Sequence, residues 1–152
     1  MIAIRRGDAH DRAFVLDLGK RVVATSISVV RPASLLSAED AFERLVSFAL
    51  ARRHELLIAH ADQQRLGFLI LLLDLPDEVT NVEQAFVAYM AVEPAEQGRG
   101  VGLALISGAE DLARAFGLPY LSLMVTEDNG VAQRLYARAG LVTERRMLTK
   151  PL

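Results

Sequence analysis

The chain has no cysteine and no tryptophan, and only 6% of its 152 residues are aromatic. Without cysteine there is no disulfide framework, no thiolate metal site and no cysteine nucleophile. Long hydrophobic runs are missing as well. The longest strongly apolar stretch is Leu66 to Leu73, which suits a buried strand, whereas a membrane-spanning helix needs about 20 residues. Met1 to Asp8 lacks the apolar core of a secretion signal. These absences lead to an expectation of a soluble, cytoplasmic protein with no membrane partner. Neither sign of charge dominates. Seventeen basic residues against nineteen acidic ones leave a formal net charge of -2, which gives no electrostatic case for nucleic-acid binding.

What the chain does have is apolar residues. A hydrophobic fraction of 52% beside 24% charged residues argues against disorder. The length fits one domain over 1–152, and a chain of this size buries about 68–70% of its unfolded surface.

Ile2 to Arg6 reads as a short strand. Asp8 is placed to cap a helix carrying Phe14, Val15, Leu18 and Val22 on one face. Pro32 argues against a continuous helix over 24–36. Ser37 precedes a second helix with Ala38, Phe42, Leu45, Val46 and Ala49 as its stripe, and Phe14, Phe42 and Phe48 are expected on the core side of their helices. Two strand-like runs, Glu55 to Ala61 and Leu66 to Leu73, flank the polar turn Asp62-Gln63-Gln64-Arg65. A strand near Gln84 to Val92 is stopped by Pro94. A helix then lasts to about Phe116 before Gly117, which terminates it. A strand at Leu118 to Thr126, a helix at Asn129 to Ala139 and a last strand near Val142 to Thr149 complete the order β-α-α-β-β-β-α-β-α-β. This pattern calls for an α/β (mixed α+β) fold, a mixed sheet flanked by helices.

The informative stretch runs from Tyr89 to Gly102. A strand ends at Val92-Glu93-Pro94, and Gly98, Gly100 and Gly102 then open a long helix. Glycines allow close backbone approach, and the free N–H groups of a helix start favour a diphosphate. The spacing is neither a dinucleotide-binding G-x-G-x-x-G nor a P-loop, so glycine spacing alone is also met by a helix start shaped only for packing.

The context is more specific. Gln97-x-x-Gly100-x-Gly102 after this strand resembles the acyl-CoA-binding motif of the GNAT superfamily, the acetyl-CoA-dependent N-acetyltransferases. Asn129 to Leu141, with its Leu135-Tyr136 pair and Gly140, is similar to that family's later helix. The resemblance implies a mostly antiparallel sheet that splays between the strand ending at Val92 and the strand of Leu118 to Thr126. It further implies acetyl-CoA as co-substrate and an amine as acceptor, with no metal. By position, Met90, Ala91 and Val92 would meet the pantetheine arm through backbone groups. Gln97, Gly98, Arg99, Gly100, Val101 and Gly102 would hold the pyrophosphate. Asn129 would sit near the pantetheine or cap the helix, and Tyr136 would lie near the thioester sulfur as general acid. Many relatives dimerise, so a homodimer is compatible with the resemblance.

The implied reaction needs a neutral amine, an oxyanion donor and a proton for the leaving thiolate. A backbone N–H near Ala91 or Val92 suits the second and Tyr136 the third, although Tyr136 also fits the apolar stripe of its helix. Deprotonating a lysine-like amine at pH 7 costs roughly 4.6 kcal/mol, against about 1.4 kcal/mol for an α-amine. A base is therefore the larger question. Where some relatives carry a glutamate, this chain has Phe86 or Met124. Glu83, Tyr89 and Glu127 are the nearby base candidates, beside a chain of water. His10, His54 and His60 lack metal-ligand spacing. Two alternatives to the enzyme are a non-catalytic acyl-CoA-binding regulatory module and an unrelated diphosphate nucleotide binder.

Overall fold

The apolar runs 55–61 and 66–73 become the centre of a five-stranded sheet in the computed structural model, which describes residues 1–152. The elements are β1 (Ala3–Arg6), α1 (Arg12–Val22), α2 (Leu35–Leu50), β2 (His54–Ala61), β3 (Gln64–Leu72), β4 (Ala85–Val92), α3 (Val101–Ala115), β5 (Leu121–Leu123) and α4 (Gly130–Arg138). The strands lie in chain order. Every pairing is antiparallel except β4 with β5, which is parallel. The expected mixed, mostly antiparallel sheet is thus present.

Both faces of the sheet are covered, which is why β3 reads as an unbroken apolar run rather than an alternating one. Phe68, Ile70 and Leu72 pack toward α1 and α2 with Val15, Leu18, Phe42 and Val46. Leu69 and Leu71 point the other way, toward Val101, Leu105, Ile106 and Ala109 of α3. Burial of each such side chain contributes about 1.5–3 kcal/mol. No helix is long and apolar enough to cross a membrane.

Several local expectations change. The side chain of Ser34, not Ser37, caps α2, and it accepts the N–H of Ser37. Phe48 is not a core residue. It lies exposed beneath the Arg52 guanidinium, 5.2 Å from the ring centroid. The strand expected over Leu118 to Thr126 shrinks to β5, because only Ala85 to Val87 of β4 pair with it. The last strand, near Val142 to Thr149, does not form. Thr143-Glu144-Arg145-Arg146 breaks any period-2 apolar face that a strand could bury. Side chains hold that segment instead. Arg145 grips the Asp77 carboxylate (2.6 and 3.1 Å), and Arg31 reaches the Thr149 hydroxyl (3.3 Å).

Candidate functional site

The sheet comes apart where β4 outlasts its partner. β5 pairs with Ala85 to Val87 and then leaves, so the edge of β4 from Ala88 to Val92 has no strand beside it. A bulge against β3 falls at the same place, since Leu71 faces Val87 and Ile70 faces Tyr89. Ala88 and Tyr89 consequently both lie on the α1–α2 face, while Met90 and Val92 lie on the α3 face. The N–H of Glu93 donates to Leu66 across the β3 side. Alternation then turns the backbone groups of Ala91 toward β3 and those of Met90 and Val92 into the split. Gly67 permits this close approach, because a Cβ there would lie 2.7 Å from the Ala91 carbonyl oxygen. Of the three backbone positions expected at the split, Met90 and Val92 face it and Ala91 does not.

At the mouth of the split, one helical turn (Pro94–Glu96) leads into the glycine segment. Gly98 and Gly100 hold φ of 79° and 89°, a region costly for residues with a Cβ. Nothing lies within 4 Å of where either Cβ would be. Gly100 caps α3 without any side-chain hydrogen bond, whereas Ser34 and Asn129 cap α2 and α4 with theirs. No side chain therefore satisfies the first N–H groups of α3, which leaves them for an anionic ligand. Val101 turns its side chain into the core, leaving only its N–H for a ligand. Gln97 is exposed, and its N–H bonds weakly to Pro94 (3.4 Å). Arg99 is 68% exposed and leans on Glu96 at 3.4 Å. Gly102 serves packing: a Cβ there would meet Leu135 of α4.

α4 forms the far wall. Asn129 caps it, accepting the N–H of Ala132 at 3.2 Å. Tyr136 packs one ring face on the α3-side core. Its hydroxyl makes no hydrogen bond and is not fully enclosed by protein. Burial pushes the phenol above its ordinary value, and the nearby charge of an ionised Tyr89 would push it further. Tyr89 leans on Phe42, with ring centroids 4.7 Å apart, and lies 6.3 Å from Phe68. Its hydroxyl and Ser26 Oγ share a hydrogen bond of 3.2 Å. Burial raises the Tyr89 phenol too, and the Ser26 bond offsets only part of that rise.

The structure separates the base candidates. Tyr89 stands at the split, but a phenol with a raised pKa is a poor proton acceptor near neutrality. Glu83 is exposed in the loop before β4, roughly 16 Å along the strand from Ala88 at about 3.3 Å per residue. Glu127 sits at the rim with its carbonyl accepting Gln133 Nε2 (2.6 Å) and its side chain exposed. Phe86 packs against the α1–α2 core and Met124 is exposed beyond β5. Glu93, at the end of β4, is paired with Arg21 at 2.7 and 3.0 Å. Neither this pair nor the Ser26–Tyr89 contact is legible in the sequence. Their partners lie 72 and 63 residues away along the chain, and no local pattern signals such a contact.

Comparison with known proteins gives concordant findings. The model described as the acetyltransferase (GNAT) family matches residues 27–141. A mycothiol acetyltransferase of Beutenbergia cavernae is 33% identical over 85 residues, which is 56% of this chain and 27% of the relative. The matched region thus spans about a quarter of that relative's length. A protein of Pyrococcus furiosus described as an acetyl transferase shares the fold with a TM-score of 0.84 at 24% identity, covering 100% of both chains. An aminoglycoside N-acetyltransferase solved in complex with CoA gives a TM-score of 0.71 at 17% identity, covering 100% of this chain and 95% of that one.

Proposed function

The chain belongs to the acetyltransferase (GNAT) family, and from that premise we propose that it transfers the acetyl group of acetyl-CoA directly to a primary amine. The observation that carries this reading is the split itself. A strand edge with free backbone groups, an uncapped helix start and an unbonded tyrosine hydroxyl border one opening. Such an edge can accept an extended pantetheine arm as an added strand, and the open cradle at Gly98 and Gly100 has room for a diphosphate.

Each remaining role falls to a residue of this chain. The N–H of Val92, or that of Met90, donates to the carbonyl oxygen as negative charge develops there. The amine nitrogen forms the new C–N bond as the C–S bond breaks. Tyr136 hydrogen-bonds the departing thiolate and supplies its proton, and the proton that the amine nitrogen sheds on acylation restores the phenol. With its pKa raised, the phenol stays protonated at neutral pH, as this role requires. Full transfer to a thiolate of pKa about 8.5 from a phenol of about 10 or above is uphill by at least roughly 2 kcal/mol. Tyr136 therefore acts by hydrogen bonding through the transition state and completes the transfer late.

No carboxylate is poised inside the split, so the amine loses its proton to water at the rim, where Glu127 stands. This favours acceptors with a low amine pKa, such as an α-amine. The binding module without turnover drew its case from apolar Phe86 and Met124, and nothing in the geometry of the split favours it. The reading is tested by calorimetric titration with acetyl-CoA and by thiol release over a panel of small amines, amino acids and peptides. Binding followed by amine-dependent release supports it. Purified protein that neither binds acetyl-CoA nor releases CoA with any amine overturns it.

A further inference from the structure

The segment after α1 crosses the mouth of the split and is tied to both sides of it. Val23 to Ser26 form a short 3-10 turn. Ser26 Oγ bonds the Tyr89 hydroxyl on β4 (3.2 Å), and the Ser26 carbonyl accepts the Thr126 hydroxyl from the β5–α4 loop (2.9 Å). Three residues on, the N–H of Val29 donates to the Asp128 carboxylate (2.8 Å). Thr126 is held from its other side, where its carbonyl accepts Gln133 Nε2 of α4 (3.2 Å). Gln133 lies one helical turn before Tyr136. A continuous path, Tyr89–Ser26–Thr126–Gln133, thus runs from the β4 lip to the helix that carries Tyr136.

The geometry points to Ser26 as the positioning residue that fixes the width of the split, through one bond to each lip. This role rests on the acetyl-CoA reading above, but it concerns a residue outside the binding motif. No strand ladder holds β4 and β5 together beyond Val87. Ser26 closes that gap with a residue that is itself exposed. Exposed hydrogen bonds of this kind add little to global stability. Their effect falls on local geometry, at a place where a displacement of about 1 Å is known to be felt strongly.

The Ser26–Tyr89 bond is in series with the ties to the β5–α4 loop, where Thr126 and Asp128 hold the segment side by side, so that lip is released only when both loop ties are broken. The test is calorimetric titration of CoA with the wild type, Ser26→Ala, a loop variant joining Thr126→Val and Asp128→Ala, the variant combining all three substitutions and Ser26→Thr, each paired with a thermal unfolding scan. Ser26→Ala and the loop variant are each expected to weaken CoA binding about three- to tenfold, the range for a lost hydrogen bond, with the unfolding midpoint nearly unchanged. The combined variant should bind no worse than the weaker of these two, and Ser26→Thr should restore binding. Wild-type affinity in either Ser26→Ala or the loop variant overturns the proposal. So do additive losses, or losses that track a fall in the unfolding midpoint. A wild type that does not bind CoA overturns the cofactor reading as well, whereas unchanged variants of a binding wild type overturn only the role of Ser26.

Discussion

Gly102 of α3 lies against Leu135 of α4, so closely that a Cβ at 102 would stand 2.7 Å from Leu135 Cδ2. The third glycine of the turn is therefore where two helices meet, unlike Gly98 and Gly100, whose surroundings are open. Gly102→Ala is expected to displace the Leu135 side chain, whose tip the new Cβ would meet, and with it the packing beside Tyr136. Overpacking costs about 1–3 kcal/mol, offset by about 1 kcal/mol from the better helix former. Denaturant unfolding should show a net loss of at most about 2 kcal/mol, and kcat should fall more than the KM for acetyl-CoA rises.

Tyr136→Phe removes a hydroxyl that bonds no other residue, so stability should stay within about 0.5 kcal/mol. Loss of a general acid should lower kcat by about 100-fold, at the low end of the usual range because the transfer is late. Acetyl-CoA affinity should change less than about twofold, which steady-state kinetics and calorimetry together separate.

The pH dependence should belong to the substrate. With no carboxylate inside the split, kcat/KM rises with pH along the acceptor's own amine titration. The limb should move upward when an α-amine of pKa about 8 is replaced by a lysine-like amine of about 10.4. Both tyrosines have raised pKa values, so neither adds a falling limb below about pH 10. Profiles that keep one midpoint for all acceptors would assign a titrating base to the protein.

Away from the site, Asp11 is 1% exposed and accepts both Arg5 (2.7 and 2.8 Å) and Arg65 (2.8 Å). The Arg5 bonds outweigh the burial that opposes them and hold the carboxyl well below the usual range. Because the folded value is depressed, the stabilisation is present above the unfolded value of about 3.9 and fades as pH falls below it. Asp11→Asn should cost about 1.5–3 kcal/mol at pH 7, because the amide loses the charge that holds the partly exposed Arg5 and Arg65. The gap between variant and wild type should narrow below about pH 4 in thermal unfolding scans.

Sequence periodicity carried much of this fold. Apolar spacing located all four helices and the β2–β3 hairpin, because those elements bury faces that the residues themselves define. Strand extent is less legible: β5 is shorter than its apolar run, and residues 142–149 form no strand. A strand depends on what lies beside it, and β4 offers β5 only three residues. The candidate site divides in the same way. The glycine segment and Tyr136 are local motifs and were legible. The ties of Ser26 to Tyr89 and Thr126 span 63 and 100 residues and exist only once the sheet has formed.

The most direct test of direct acetyl transfer is to incubate the protein with acetyl-CoA carrying an isotopic label in the acetyl group, together with a panel of primary amines, and to follow the label by mass spectrometry. Label is expected in an amide of at least one amine, in step with free CoA, and none on the protein. Label held on the protein, or lost only as acetate whichever amine is present, would contradict it.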